Sequence, residues 1–419
     1  MNRLHSKIHI NIGIKSLFCA MLSSTLLIDF LNGSLPALKL GVVFRVAIIF
    51  LCFLIAIKYN RHLFLKYAAI LGFLFFNVSL SVILHGASAL VDVNYAIKTM
   101  FFYLVTTSLA ELNRRNKLTI EDVDKIIIWN LIYGPILYLA GIALGGRTSY
   151  QYAGASVGFK SNFLSLNSLN IAFLIMYIFA VSRFFGLGKR NWGLASAYVA
   201  VPLILLGTKT SFVMLVLCPL LFILLNIKKK SLIKGLKYFL IGCLILLPIA
   251  GPKILSSIQG AIERQLFLME KRDFWTYLFS TRNVRIVAVI QEYLKTFSVL
   301  DLVPGRGYFD LHHFVAIYLN SSEPVLPIEM DFFDVFFSYG IPGLMFTYVF
   351  AVKTIFKARK TRKIGRIQGY YWSCVIILIY GVLAGHLFQE AISSTFYALS
   401  MAGLIISTRN MKNENGRHS

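Results

Sequence analysis

Long apolar blocks alternate with short polar segments along most of this 419-residue chain. A bilayer core about 30 Å thick needs about 20 mostly apolar residues per helix, and on this criterion the chain contains about 12 spans. The predicted spans lie near residues 14–32, 39–57, 66–84, 93–110, 126–145, 164–182, 192–206, 211–227, 238–254, 331–352, 367–385 and 392–408. The pattern predicts an all-α polytopic integral membrane protein, with residues 1–419 in a single membrane domain.

One long segment, residues 255–330, breaks this alternation between the ninth and tenth spans. Two of its stretches, "AIERQLFLMEKRDFWTYLF" and "NVRIVAVIQEYLKTF", have the periodicity of amphipathic helices, and "VPGRGYF" interrupts them. Together with Asp331 and Asp334 at its exit, the segment holds ten of the 18 acidic residues. We therefore expect two helices at the membrane surface, joined by a turn, in one long loop.

Composition and charge narrow the class of protein. With 57% hydrophobic and 14% charged residues, the chain is too apolar for a soluble multi-domain protein. The 42 Lys and Arg residues recur in short clusters between apolar blocks, such as "NRRNK" and "KTIFKARKTRKIGR", which is the positive-inside pattern and argues against nucleic-acid binding. These clusters predict that both termini are cytoplasmic and that the long loop is extracytoplasmic.

The remaining composition signals indicate ordinary membrane-protein features. The five cysteines lie inside apolar blocks without CxxC spacing, so they predict neither a disulfide nor a zinc site. The basic start and apolar stretch at the N-terminus resemble a signal peptide without an evident cleavage site, and we interpret them as an uncleaved first helix.

Several cations face outward on this topology, against the general trend. They are Arg147, Lys160, Lys209, Arg282, Arg285 and Arg306. Arg282 and Arg285 are three residues apart on a predicted helix, so both guanidinium groups could grip one phosphate or pyrophosphate; the alternative is a pair that reaches to lipid headgroups. Lys209 lies between two short apolar runs and is costly there without an anion, although a simple interfacial loop lysine remains the alternative.

Histidines and carboxylates gather near the end of the long loop. His312 and His313 adjoin Asp310, and either histidine could serve as a base, or both could be packed loop residues. The carboxylates there are Glu329, Asp331 and Asp334. They could bind or activate an acceptor, or cap the tenth helix. Adjacent histidines point in different directions, so we predict no metal site here.

Four motifs, in this order, resemble the O-antigen polymerase and O-antigen ligase group of membrane glycosyltransferases. They are "GRTSYQYAGASVGFKSNFLSLNSLN", "GTKTSF", an Arg at the head of a loop helix leading to "PGRGYF", and "DFFDVFFSYGIPG". The ordered likeness covers roughly residues 140 to 350. The chain departs from the family at Thr208–Lys209, where a Ser-Arg step is usual, and at His312–His313, where the ligases have His-Asn; the second difference favours a polymerase.

The resemblance implies a GT-C-like fold in the bacterial inner (cytoplasmic) membrane. It also implies transfer of a growing O-polysaccharide from undecaprenyl pyrophosphate onto a new lipid-linked repeat unit. The expected partners are that lipid-linked oligosaccharide, membrane lipids, a chain-length regulator and a flippase, with no cofactor. We expect His313, His312 and Asp331 to be the catalytic residues, with His313 favoured as the base. The expected substrate-binding residues are Arg147, Lys160, Lys209, Arg282, Arg285, Arg306, Glu329 and Asp334.

Two other functions remain open from the sequence. An O-antigen ligase would use the same donor and leaving group but deliver the glycan to the lipid A core. A flippase for lipid-linked sugars would also have about a dozen helices, but should place its ionisable residues near the midplane within repeated halves. Here the polar residues concentrate in one outer loop, which favours the enzyme.

Overall fold

The structure is a computed structural model that describes residues 13–152, 155–188, 190–226, 259–260, 262–296, 298–362 and 365–415. Up to the ninth helix the elements are α1 Ile14–Ser23, α2 Thr25–Ser34, α3 Leu40–Tyr59, α4 Arg61–His85, α5 Ala89–Arg114, α6 Ile120–Ala143, β1 Arg147–Tyr152, β2 Ala155–Ser161, α7 Leu166–Leu187, α8 Arg190–Leu206 and α9 Lys209–Leu225. Thereafter they are α10 (262–271), α11 Phe274–Leu278, α12 Arg282–Lys295, α13 Val299–Leu302, α14 Phe309–Tyr318, α15 Asp331–Leu344, α16 Phe350–Ala358, α17 Gly365–Ala384 and α18 Ala391–Asn415.

Seven helical segments of the described chain are long and apolar enough to cross a bilayer. They are Pro36–Tyr59, Arg61–His85, Ile120–Ala143, Leu166–Leu187, Asp331–Thr361, Gly365–Ala384 and Ala391–Met411. The α1–α2 pair would make an eighth span if its 54° bend is counted within one segment. The prediction of an α-helical membrane protein is therefore confirmed.

The other predicted spans have different outcomes. Helices α8 and α9 have 17 residues each, which is short for a complete span. Helix α5 has 26 residues but carries charged residues such as Asp92 and Lys98, and it is not among the seven apolar segments. The predicted ninth span, 238–254, lies outside the described residues.

Local sequence explains where the long helices begin and end. Helix α6 starts with a capping box, in which Thr119 Oγ1 accepts from the Asp122 amide at 3.4 Å and the Asp122 carboxylate accepts from the Thr119 amide at 2.8 Å. Helix α7 starts at the capping side chain of Ser165 and ends at Gly188, which has a φ of 66°.

Helices α7 and α18 form the centre of the bundle. Their most apolar windows are 89% and 94% buried, whereas those of α3 and α4 are only 33% and 28% buried. Helix α7 packs against α8, α17 and α18, and α18 also packs along α5. Burial all round is what a membrane helix shows when other helices replace lipid as its neighbours, so α3 and α4 lie nearer the periphery than α7 and α18.

Two strands interrupt the otherwise helical architecture. Strands β1 and β2 form an antiparallel hairpin, with Arg147 opposite Ser161 and Thr148 opposite Phe159. The hairpin follows α6, and the hydroxyl of Tyr138 on that helix donates to the Phe159 carbonyl at 2.6 Å. The sequence predicted this segment only as an outer loop.

The long loop contains more helix than the sequence predicted. Five helical segments, α10 to α14, occupy most of residues 262–318, and a non-helical stretch leads to α15. The histidine pair that follows the predicted turn lies inside α14. Residues 255–258 of the predicted loop lie outside the described residues.

The turn before α14 packs against a break in α15. Gly340 has φ 59° and ψ −156°, and the backbone amides of Arg306 and Gly307 donate to the Phe337 and Ser338 carbonyls, each at 3.0 Å. Gly305 has a φ of 74°, and a Cβ at that position would lie 2.6 Å from the Ser338–Tyr339 backbone. Glycine is therefore required for this close approach.

Candidate functional site

A cavity of about 1090 Å³ lies where the long loop meets the helix bundle. Helices α7, α9 and α17 supply lining residues from the bundle, while α10, α12 and the segment before α15 supply residues from the loop side. Most of its wall is apolar, including Leu217, Leu221 and Leu224 of α9. Ligand cavities of about this size usually combine an apolar wall with a few polar groups that orient the ligand.

The charged groups of this cavity are mostly cations. The described lining residues include Lys209, Arg264, Arg272 and Arg282, and their one carboxylate is Glu329. Thr208, Thr210, Ser280 and Thr281 also line the cavity. The cavity therefore joins a cationic region to an apolar wall.

Lys209 is positioned by the start of α9. Thr208 caps the helix, because its hydroxyl oxygen accepts from the Ser211 amide at 3.1 Å. The Lys209 ammonium donates to the Tyr277 carbonyl at 2.7 Å and lies 3.7 Å from the centre of the Tyr277 ring. The ion pairs of the described residues include none to Lys209. A half-buried ammonium whose charged neighbours in the cavity, Arg264, Arg272 and Arg282, are also cations favours an anionic ligand.

Arg264 and Arg272 come from α10 and the residue after it, and the sequence analysis missed both. The Arg264 guanidinium lies 3.8 Å from the centre of the Tyr150 ring, so the hairpin supplies a stacking surface for a cation of the cavity. Both arginines were visible in the amphipathic stretch "AIERQLFLMEKRDFW". Their position beside Lys209 depends on how the loop folds back over α9, which helical periodicity does not determine.

Arg282 and Arg285 hold the carboxylate of Glu329. Arg282 Nη2 lies 2.8 Å from Glu329 Oε2, and Arg285 Nη1 lies 3.2 Å from Glu329 Oε1. Arg285 also donates to the Pro327 carbonyl at 2.8 Å. Arg282 lines the cavity and Arg285 does not. The two arginines that were predicted to grip a phosphate are therefore close together, but in the structure they share the carboxylate of Glu329.

A smaller chamber of about 20 Å³, enough for one water molecule, lies on the other side of Glu329. Its lining residues are Tyr95, Tyr308, Pro327, Glu329, Asp334, His386, Gln389 and Glu390. The described residues offer no hydrogen-bond partner to the Tyr308 hydroxyl, His386 Nε2 or Gln389 Nε2. This chamber is therefore a polar pocket suited to a bridging water molecule.

His386 is a further titratable residue that was not predicted from the sequence. Its Nε2 lies 3.9 Å from Glu329 Oε2, beyond direct hydrogen bonding but within range of strong charge interaction. Burial alone would lower the pKa of His386, but the neighbouring Glu329, together with Glu390 and Asp331, raises it above its ordinary value. As a single histidine in the short connection between α17 and α18, it carried no motif signal.

The pKa of Glu329 shifts in the opposite direction. Burial would raise it, but His386, Arg282 and Arg285 together hold the pKa of this carboxyl well below its ordinary value. Glu329 also has a φ of 64°, and His386 a φ of 66°, in the left-handed region that residues other than glycine rarely adopt. Such strained backbone often occurs at functional sites.

Neither histidine of the predicted catalytic pair lines the large cavity. His312 is fully buried, with Nε2 2.6 Å from Asp334 Oδ1 and Nδ1 2.5 Å from the Tyr308 carbonyl. Asp334 also accepts from the amides of Ile328 and Met330, at 3.0 Å each. His312 and Asp334 therefore tie α14 to the start of α15.

His313 lies apart from both the cavity and the small chamber. Its Nδ1 is 2.6 Å from the Pro324 carbonyl, and its ring stacks on Phe309 at 4.8 Å. The lining residues of the two cavities include other loop residues but not His313. Its assignment as the base stays a prediction, and the geometry lends it no support.

Arg306 forms an ion pair and hydrogen bonds with nearby residues of the protein. It lies 2.8 Å from Asp301 and donates to the hydroxyl and carbonyl of Thr296, at 2.8 and 2.7 Å. Its side chain is 5% exposed, so it is placed to stabilise the turn and does not line the large cavity. Asp331 is also buried, and its carboxylate accepts from the Leu387 amide, which ties α15 to the connection before α18.

Arg147 and Lys160 lie on the hairpin and do not line the large cavity. The pKa of Lys160 falls below its ordinary value because of burial and the nearby Arg147 charge, although Asp29 and Glu390 oppose this shift. The structure thus brings Lys209, Arg282 and Glu329 together and leaves these two predicted residues elsewhere. Among the described residues, no group of three or more His, Cys, Asp or Glu side chains could hold a metal ion.

Fold and cavity together define an α-helical membrane protein with a cationic, apolar-walled site under its long loop. No family model and no curated protein matches this chain.

Proposed function

We propose that this chain is a membrane glycosyltransferase of the O-antigen polymerase type. It transfers a growing glycan from undecaprenyl pyrophosphate onto a lipid-linked repeat unit at the periplasmic face of the bacterial inner membrane. The donor is activated by its own pyrophosphate linkage, so the reaction needs an anion site, an apolar path for the lipid and a place for the acceptor sugar.

The composition of the large cavity is the observation that carries this proposal. Lys209, Arg264, Arg272 and Arg282 supply positive charge at the same cavity whose wall includes apolar side chains of α9 and α17. A free phosphate or nucleotide would use the cations but not the apolar wall, whereas a polyprenyl pyrophosphate uses both. Among the described residues, Glu329 is the one lining carboxylate; it is already paired with two arginines, and the described ion pairs include none to Lys209, Arg264 or Arg272.

The cations of the large cavity also suit the chemistry of the proposed glycan transfer. The acceptor hydroxyl oxygen forms a bond to the anomeric carbon of the donor, and the bond from that carbon to the pyrophosphate oxygen breaks. The electron pair leaves with the lipid pyrophosphate, and the hydroxyl proton goes to a base. Cations fixed beside the leaving oxygen stabilise the charge that develops there, which is typically a large contribution to catalysis.

The proposed topology has about 12 spans with both termini cytoplasmic. It counts α1–α2, α5, α8 and α9 beside the seven long apolar segments, together with the span that the sequence predicts at 238–254, outside the described residues; a GT-C-like arrangement is part of the proposal. The cavity then opens below the periplasmic loop 255–330, where lipid-linked glycans are presented. Membrane lipids, a flippase that delivers the repeat unit and a chain-length regulator are the expected partners.

Deletion of the gene, followed by gel analysis of lipopolysaccharide, tests this function against its two alternatives. Core carrying a single repeat unit is the expected result for a polymerase. Bare core with accumulated lipid-linked polymer would instead indicate a ligase, and loss of outward-exposed lipid-linked repeats would indicate a flippase. Complementation with the wild-type gene and with a Lys209→Ala variant then separates loss of the protein from loss of the cavity charge.

A further inference from the structure

Glu329 occupies the boundary between the two cavities. It is the one carboxylate among the described lining residues of the large cavity, and it also lines the small polar chamber. Its side chain remains 23% exposed, so a ligand in the large cavity can reach it. The carboxylates of Asp331 and Asp334 lie deeper, with 0% and 1% exposure.

Two arginines and a histidine mask this carboxylate in the structure. Arg282 and Arg285 hold one oxygen each, at 2.8 and 3.2 Å, and His386 lies 3.9 Å away. A carboxylate surrounded by cations is a weak proton acceptor, since opposite charges stabilise its ionised form. In this arrangement Glu329 would not deprotonate a hydroxyl efficiently.

Arg282 and Arg285 differ in whether an anion that enters the large cavity can contact them. Arg282 lines the large cavity with Lys209 and Arg264, so a pyrophosphate bound by those cations would also attract Arg282. Arg285 does not line the cavity, and its bond to the Pro327 carbonyl fixes it in place. A bound pyrophosphate therefore competes with Glu329 for one arginine and leaves the other to orient the carboxylate.

We propose that Glu329 is the proton acceptor for the acceptor hydroxyl, and that the donor pyrophosphate unmasks it by drawing Arg282 away. This inference rests on the proposed function. The hydroxyl O–H bond breaks and its proton passes to a Glu329 oxygen while the new glycosidic bond forms. The donor carbon–oxygen bond breaks, and the lipid pyrophosphate leaves with the electron pair. Return of Arg282 then displaces the proton to water, which makes deprotonation dependent on donor binding.

The experiment compares binding with transfer in purified protein reconstituted in lipid nanodiscs. One assay measures the affinity for undecaprenyl pyrophosphate, and the other measures extension of a synthetic undecaprenyl-pyrophosphate-linked repeat unit. Glu329→Gln should bind the lipid at least as tightly as wild type, because Arg282 is released, and should transfer roughly 10²- to 10⁴-fold more slowly. Glu323→Gln, in the exposed part of the same loop, is the matched control and should behave as wild type.

Glu329→Asp is a second variant that separates a folding defect from loss of the proton acceptor. It keeps the negative charge but shortens the side chain by one methylene. It should bind the lipid normally and transfer more slowly than wild type. Transfer by Glu329→Gln at a rate close to wild type would overturn the inference. So would a fall in lipid binding that matches the fall in rate in either variant, since Glu329 would then only position Arg282. Failure of the wild-type protein to bind the lipid at all would overturn the proposed function as well.

Discussion

The end of the helix bundle away from the long loop and the large cavity at the loop end use charged residues in opposite ways. At the end away from the long loop, Glu111 pairs with Arg114 at 2.6 Å and Arg115 at 3.2 Å. In the same region Asp124 pairs with Arg183 and, at 3.2 Å, with Arg366. At the loop end, Lys209, Arg264 and Arg272 line a large cavity whose one described carboxylate is held by other arginines.

This difference distinguishes ion pairs that stabilise the fold from cavity cations that are placed to bind an anionic ligand. A buried ion pair in the first region fixes neighbouring helices relative to one another, and removal of one partner leaves an uncompensated charge. Cations that face a cavity without a matching carboxylate are costly in an apolar protein unless an anion from outside meets them. The comparison therefore predicts stability defects at one end and binding defects at the other.

The largest expected effect is on folding, at the end away from the loop. Arg183→Ala leaves the buried Asp124 without its closest guanidinium but with Arg366 at 3.2 Å, so we expect a cost near the lower end of the about 3–5 kcal/mol that is typical for loss of a buried partner. We expect a marked fall in the free energy of unfolding, measured in detergent by thermal or denaturant titration. Lys295→Ala, on the exposed surface of α12, is the control. An unchanged stability of Arg183→Ala would show that this ion cluster does not hold the bundle.

A slightly smaller effect, on glycan transfer and not on folding, is expected at the cavity. Lys209→Ala or Arg282→Ala should slow glycan transfer by about 10²- to 10³-fold, the usual result of removing one group that stabilises developing negative charge. Arg282→Lys should restore only part, because a single ammonium lacks the planar fork of guanidinium. Transfer assays, with melting temperature as the folding control, check this. If both alanine variants make a normal polymer ladder, the cavity is not the donor site.

The two members of the predicted arginine pair should differ. Arg285 does not line the cavity and contacts Glu329 and the Pro327 carbonyl. We expect Arg285→Ala to reduce transfer while it leaves the affinity for undecaprenyl pyrophosphate close to wild type, whereas Arg282→Ala reduces both. Parallel binding and transfer assays measure the difference. Equal loss of lipid affinity in both variants would show that the two guanidinium groups bind the anion together.

An effect on lipid binding is expected from the apolar wall. Leu221→Trp enlarges a side chain that lines the cavity from α9, and should weaken binding of undecaprenyl pyrophosphate about tenfold, which corresponds to about 1.4 kcal/mol. Leu90→Trp, at an exposed apolar position of α5, is the matched control. Binding of inorganic pyrophosphate should change little in either variant. Unchanged lipid affinity in Leu221→Trp would place the lipid chain elsewhere.

The smallest expected effect is a pH dependence of stability. The pKa of His386 is raised by Glu329, Glu390 and Asp331 against the effect of burial. Its stabilising charge is therefore fully present below its ordinary value, about 6.5, and is lost as pH rises through the higher folded value. We expect the melting temperature of wild type to fall over that alkaline range more than that of His386→Gln. Parallel curves for the two proteins would contradict the charged state of His386.

Sequence reasoning identified Lys209 and Arg282 because a cation in an outward-facing position stands out against the positive-inside pattern. It could not distinguish them from Arg306, since only the folded loop shows that Asp301 and Thr296 satisfy that arginine. The same limit applied to His312, whose burial against Asp334 comes from the packing of α14 on α15.

The helical membrane architecture, by contrast, was readable from apolar periodicity alone, because each span satisfies its own backbone hydrogen bonds. The site depends on contacts between segments far apart in sequence, such as Arg264 on Tyr150 and Arg282 with Glu329. No local pattern encodes those distances, and His386 had no neighbouring motif to draw attention to it. Cations that depart from the positive-inside pattern therefore pointed to two residues of the cavity, Lys209 and Arg282, whereas the histidine pair lines neither cavity and its catalytic role stays a prediction.

Cross-linking with a photoreactive undecaprenyl pyrophosphate tests the central claim that the cavity under the long loop binds this lipid. The analogue carries a diazirine near its pyrophosphate-proximal isoprene units, and mass spectrometry locates the cross-linked peptides. We expect cross-links on α9 around Met214–Leu221 and on α17 around Ile376–Leu383, which lie on the cavity wall, and loss of both in Lys209→Ala. Cross-links confined to the more peripheral helices α3 and α4, or a pattern that a neutral polyprenol analogue reproduces, would contradict it.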